Sequence, residues 1–325
     1  MKAKAGRRKG TPPSPVSTAS RGIQDQPRRW RLPGVALLVA LAMMSGSALL
    51  LYPAAAAWFS AVDQSHEIDK LTQGIKDLGA ETLHSRLNEA REYNQSLSGG
   101  GADVAANERL PLAKEPHAET GRPYMDMLRG DSEGLMARIR IPSIKVDLPI
   151  YHGTSDAVLE HGVGHLQGTA LPVGGPSTHS VLTGHRGLAT SELFNDLDKV
   201  KADDTFTIEV FGEVLTYRVI DTRIVEPEET ESLLIQPGKD LLTLVTCTPL
   251  GINSHRILVT GERVIPTPQA EVDSAGTSPD VPGYPWWMVI GGGVIVAAGA
   301  YVWVSGRPSR STRLQSTPAE SAPMA

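Results

Sequence analysis

The only cysteine in the 325-residue chain, Cys247, closes the apolar run Leu241–Cys247 (LLTLVTC), and Arg256 follows nine residues later. A single thiol rules out an internal disulfide, a CxxC redox pair and a thiolate zinc cage. It leaves a small buried hydrophobe or a nucleophile. The intervening Thr248–His255 contains Pro, Gly and Asn and reads as a loop between antiparallel strands. Such a hairpin brings a strand-end thiol near a strand-start guanidinium. A nearby cation favours thiolate, and a fixed guanidinium offers donors to a developing oxyanion. Spacing alone favours an ordinary surface arginine, so the pair needs a third member to mean more.

A thiol nucleophile needs a proton carrier, and nine histidines compete. His255 is nearest in sequence, but side chains alternate along a strand, so if Arg256 faces Cys247, His255 points away. His185 stands in Val181–Leu188 (VLTGHRGL), where an apolar strand enters a glycine-flanked turn, and it ranks first. His161 and His165 are four apart, but the glycines between them argue against a helical metal pair, and HExxH is absent. His152 and His179 lie near strand ends without supporting context. A papain-like order fails because His255 is the only histidine after the cysteine. No metal or cofactor is expected.

The elements that must position these residues are short strands. After Gly134 the sequence turns to period-two and short apolar runs beginning at Met136, Val146, His179, Thr205, Val214, Leu241 and Arg256. Seven or eight strands parted by Gly, Pro, Asn and Asp predict an all-β barrel or sandwich. Ser191–Val200 reads as one short helix. Upstream, apolar residues from Ile68 to Leu97 recur at three- to five-residue steps and predict an amphipathic helix over 61–97. Residues 98–133 lack periodicity and read as a long loop, either a functional lid or plain disorder.

Charge and hydropathy frame this portion. Residues 32–59 and 286–304 carry no charge, and each is long enough to cross a hydrocarbon core of about 30 Å. Nine Lys and Arg against one acid precede the first, and three Arg against one acid follow the second. The positive-inside rule then places both tails in the cytoplasm and residues 60–284 outside, as a cell-membrane protein of two spans. The first span exceeds a signal h-region, so an uncut anchor is expected rather than a cleaved signal. Between the spans 19 basic residues face 34 acids, which argues against nucleic acid as a partner. The expected order is a basic tail (1–31), a span (32–59), a helix and loop (60–133), a catalytic domain (134–264), a linker (265–284), a span (285–305) and a tail (306–325).

Thr243–Cys247 (TLVTC), Arg256 nine residues beyond Cys247, and Thr183–Gly187 (TGHRG) together resemble the active-site set of sortases, the cysteine transpeptidases of Gram-positive bacteria. The likeness runs over about 134–264, Glu92–Asn94 also fits, and the segments are similar to the pilin-polymerising class C, which also has two spans. The resemblance implies an eight-stranded β-barrel with Cys247, His185 and Arg256 as its catalytic set. Thr183 and Thr246 follow as candidate substrate-binding residues. The implied partners are pilins or surface proteins with LPxTG-type signals, cleaved between Thr and Gly and passed to a lysine amine. Attachment to a peptidoglycan precursor and a non-catalytic surface scaffold are the alternatives. Class C lids carry an Asp-Pro-aromatic anchor. Residues 98–133 hold none, and Tyr124 and Met125 are the candidate lid plugs.

Overall fold

Alternation along the apolar runs produces eight strands in the computed structural model, which describes residues 30–98, 123–130, 134–279 and 283–307. They are β1 (Leu135–Ile141), β2 (Val146–His152), β3 (Val163–His165), β4 (Thr178–Thr183), β5 (Thr205–Val210), β6 (Glu213–Val225), β7 (Asp240–Thr248) and β8 (His255–Arg263). They close one barrel in the order β1-β2-β3-β4-β7-β8-β6-β5. Closure leaves no unpaired sheet edge. Inward residues such as Ile139, Ile150, Leu182, Phe206, Leu244 and Val259 fill the core, each contributing about 1.5–3 kcal/mol by leaving water.

Two pairings are parallel, β2 with β3 and β4 with β7. A parallel pair needs a crossover, and α3 (Asp156–His161) supplies the first, capped by the Ser155 side chain accepting from the Val158 amide. Neither α3 nor the three-residue β3 is predicted from sequence. Both are too short to display a period.

The helix expected from 61 is instead the continuation of α1 (Gly34–Asp77), which breaks only at Leu78–Gly79 before α2 (Ala80–Ser98). Leu87, Ala90, Tyr93 and Leu97 of α2 enter the barrel core. Asn94 clamps Leu171 in both directions, donating to its carbonyl at 3.0 Å and accepting from its amide at 2.7 Å. The helix predicted over Ser191–Val200 is a chain of turns with one 3₁₀ turn at Leu197–Lys199. Tertiary burial overrides local propensity there, because Leu193, Phe194, Leu197 and Val200 must all turn into the core.

The stretch expected as a linker is docked on the barrel in its described part. It contains α4 (Gln269–Asp273); Arg138 donates to the Thr277 carbonyl at 2.7 Å and Arg140 to the Ser274 hydroxyl at 2.8 Å. Burial of Arg138 lowers its proton affinity, but Asp147 and Glu209 more than offset that and raise it.

The described residues divide into two compact units, 30–44 with 295–307, and those between 45 and 294. In the first, the Trp30 indole donates to the Trp303 carbonyl at 3.1 Å and Arg307 lies 3.8 Å over the Trp303 ring. α1 and α5 (Trp286–Ser305) are each long and apolar enough to cross a membrane. The tails, residues 99–122 of the expected lid loop, and residues 131–133 lie outside the described residues.

Candidate active site

Register puts the thiol and the guanidinium together. β7 and β8 pair Cys247 with Arg256 and Thr248 with His255, and directly opposed residues share a face. Arg256 therefore stands beside Cys247, while His255 points to the other side, exposed and bonded to Ser254 at 2.8 Å. The turn between the strands takes positive φ at Gly251 and Asn253. Arg256 Nη1 donates to the Asn253 carbonyl of this turn at 3.0 Å and to the His255 carbonyl at the start of β8 at 3.1 Å, which holds the fork at the strand end.

His185 arrives by the parallel pairing of β4 with β7. Thr183 pairs with Val245, and the Gly184 amide continues the ladder by donating to the Val245 carbonyl at 3.1 Å. Two residues on, His185 comes level with Cys247. His185, Cys247 and Arg256 line one cleft of about 130 Å³ together with Thr183. The other described histidines lie elsewhere.

The cleft floor is a small apolar cluster on the outer face of the sheet: Leu166, Val181, Val225, Leu233, Val245 and Leu258. Sequence reasoning does not assign this floor, although its signal is legible: β4, β7 and β8 are apolar on both faces, as strands covered on both sides must be. The cover is the β6–β7 loop, whose Glu226, Pro227, Glu229 and Thr230 form one wall; Thr154 and Leu159 form another. His179 ties that loop down. Its Nδ1 donates to the Leu234 carbonyl at 3.0 Å and its Nε2 accepts from the Thr243 hydroxyl at 2.7 Å. Burial holds His179 below its ordinary pKa.

Thr246, expected at the substrate, faces the barrel interior with no exposure, and its hydroxyl donates to the Gly184 carbonyl at 2.7 Å. Alternation explains this: Thr246 lies between two cleft-facing residues and so points inward. Tyr124 and Met125 do not line the cleft. The Tyr124 ring is buried, with its hydroxyl 2.8 Å from His165 Nδ1 and accepting from the Gly153 amide at 3.0 Å. A side chain held this way anchors its segment to the barrel instead of plugging a cleft. Met125 is exposed. His165 donates from Nε2 to the Ala170 carbonyl, and burial, with His152 nearby, pushes it down to about 4.

A closed eight-stranded barrel with a strand-end cysteine, a histidine and an arginine around one cleft defines the architecture, and comparison with known proteins gives it a family. The sequence model described as "Sortase domain" matches residues 139–264. The crystal structure of sortase C-1 from Actinomyces oris is 49% identical, covering 56% of this chain and 98% of that one, with a TM-score of 0.50. Sortase C from Streptococcus pneumoniae is 38% identical over 61% of this chain and 96% of that one, at a TM-score of 0.53. Sortase D of Bacillus subtilis is 33% identical over 141 residues, which is 42% of this chain and 65% of that protein, a little under two thirds of its length. The chain belongs to the sortase family of cysteine transpeptidases.

Proposed function

We propose that this chain is a membrane-anchored transpeptidase that cuts an LPxTG-type signal between Thr and Gly and joins the threonine to a lysine amine of a pilin. The observation that carries the reading is the placing of Cys247, His185 and Arg256 around one apolar-floored cleft. An apolar floor suits the Leu-Pro part of such a signal, which loses water against Val181, Val245 and Leu258. The similar A. oris and S. pneumoniae proteins are both sortases C, and the S. pneumoniae structure is described as giving insight into pilin substrate specificity.

In this reading Cys247 Sγ, as thiolate, adds to the threonine carbonyl carbon. The oxygen takes the negative charge, and donors of Arg256 stabilise it. Collapse breaks the C–N bond, His185 gives its proton to the departing glycine amine, and a thioester to Cys247 remains. A lysine amine then adds to the thioester carbon and passes a proton to His185. The C–S bond breaks, leaving an isopeptide and the free thiolate. The two apolar helices, with the basic tails, support an anchor with the barrel on the outer surface.

The test incubates the full-length protein in membranes with an LPxTG-type pilin and reads the products by mass spectrometry. A Thr–Lys isopeptide between pilin subunits supports the reading. Threonine joined to a peptidoglycan-type amine moves the function to wall anchoring. Equal product from Cys247→Ala removes the enzyme reading altogether.

A further inference from the structure

The residues on either side of Cys247 hold the residues on either side of His185. Thr246 Oγ1 donates to the Gly184 carbonyl at 2.7 Å, and Arg186 Nη1 donates to Thr248 Oγ1 at 3.2 Å. Thr246 and Thr248 project from the face of β7 opposite Cys247, because successive side chains alternate. Both ties therefore run behind the cleft, leaving its front to the thiol and the imidazole.

The far ends of the ties are themselves fixed. Arg186 Nε donates to the Asn195 carbonyl at 2.9 Å, and Nη2 pairs with Asp198 at 2.6 Å; the Arg186 side chain is 10% exposed. The Phe194 amide donates to the His185 carbonyl at 3.0 Å. The Phe194 ring fills the space a side chain at residue 184 would need: a Cβ there would lie 2.6 Å from the ring. The histidine-bearing turn is thus held by Phe194, by β7 and by the 195–198 turns.

We propose that Thr246 and Arg186 are positioning residues, a two-point clamp that sets the separation and angle between the Cys247 thiol and the His185 imidazole. The proposal rests on the assignment of those two as nucleophile and proton carrier. A thiol–imidazole pair a fraction of an ångström out of place loses the proton transfer far more than it loses substrate. Misplacement of about 1 Å costs up to about 10²-fold.

The experiment uses the full-length protein and reads two things: kcat and KM with an LPxTG-type peptide, and the pH dependence of Cys247 alkylation by iodoacetamide. Thr246→Val keeps the shape and removes the hydroxyl. It is expected to lower kcat by about 10- to 100-fold with KM within about twofold, and to move the alkylation profile to higher pH. Thr246→Ser, which restores the hydroxyl, is expected to return both readings to near wild type. Thr248→Val and Arg186→Met are each expected to lower kcat by about tenfold, and the double variant by no more than the worse single, since both cut one tie. Thr248 sits half-buried at a strand end, so its variant carries the test should Thr246→Val not fold.

A loss confined to melting temperature, a loss confined to KM, no rescue by serine, or additive singles would each overturn the clamp. The alkylation arm needs no peptide substrate. Failure of the proposed function would show as wild-type protein without turnover, and failure of the clamp as wild-type and variant alkylation profiles that coincide.

Discussion

Arg138 and Arg256 both stand on barrel strands, and the contrast between them separates architecture from chemistry. Arg138 spends its whole fork inside the molecule. Its Nε and Nη2 meet Asp147 at 2.6 Å each, and Nη1 reaches the Thr277 carbonyl at 2.7 Å, with a side chain 3% exposed. Arg256 spends only Nη1, on the carbonyls of Asn253 and His255; its Nε and Nη2 have no partner among the described residues, and its side chain lines the Cys247 cleft. A saturated guanidinium fastens elements together. One that keeps donors at a cleft is equipped to bind something else.

The histidines divide in the same way, and the largest expected effect lies there. Replacing His185 by Ala should lower kcat by about 10²- to 10⁴-fold, the range general acid–base catalysis commands. His255→Ala, on the face of the β7–β8 hairpin opposite Cys247 and Arg256, should cost no more than about threefold, within the range of an exposed surface change. Steady-state assays of the two variants test the register argument, and the reverse ranking would overturn it.

The two arginines come next. Arg256→Met should lower kcat by about 10²- to 10³-fold while leaving the melting temperature within about 2 °C, as loss of an oxyanion donor does. Arg138→Met should do the opposite. It strands Asp147, while Glu209 keeps Arg140 and the Gly276 amide, and should cost about 3–5 kcal/mol of stability in denaturant titration, with activity kept by the folded fraction. If Arg138→Met abolished turnover in folded protein, the division between the two would collapse.

A smaller effect concerns the buried rings. His165 and His179 are both held neutral by burial, His165 down to about 4. The unfolded chain takes protons at these rings from about pH 6.5 downward, while folded His165 refuses one until about pH 4. Stability should therefore be full above pH 6.5 and fall as pH drops toward 4, by about 3 kcal/mol for His165, with His179 adding in the same direction. Urea midpoints at pH 7 and pH 5 check this. A higher midpoint at pH 5 would contradict it.

Much of this arrangement is legible in the sequence because two short-range rules govern it. Alternation along Leu241–Cys247 and Arg256–Arg263 separates Arg256 from His255 without any coordinates. The seven apolar runs after Gly134 mark seven of the eight strands. The rest depends on contacts distant in sequence. β3 is three residues long and exists because β2 and β4 offer it partners. Ser191–Val200 has a helical composition, yet Phe194 and its neighbours are drawn into the core beneath Gly184. Thr246 shares a motif with Cys247, and sequence adjacency suggests a shared task. The pleat assigns it the other side of the sheet.

If Cys247 is the nucleophile, the acyl intermediate can be captured on it. Full-length protein mixed with an LPxTG-type peptide, quenched in acid within the first turnover and digested, should yield the Cys247 peptide heavier by the acyl fragment ending in threonine. The added mass should vanish on treatment with hydroxylamine, which cleaves thioesters. An unmodified Cys247 in protein that is turning over, or an acyl group found on another residue, would contradict the account.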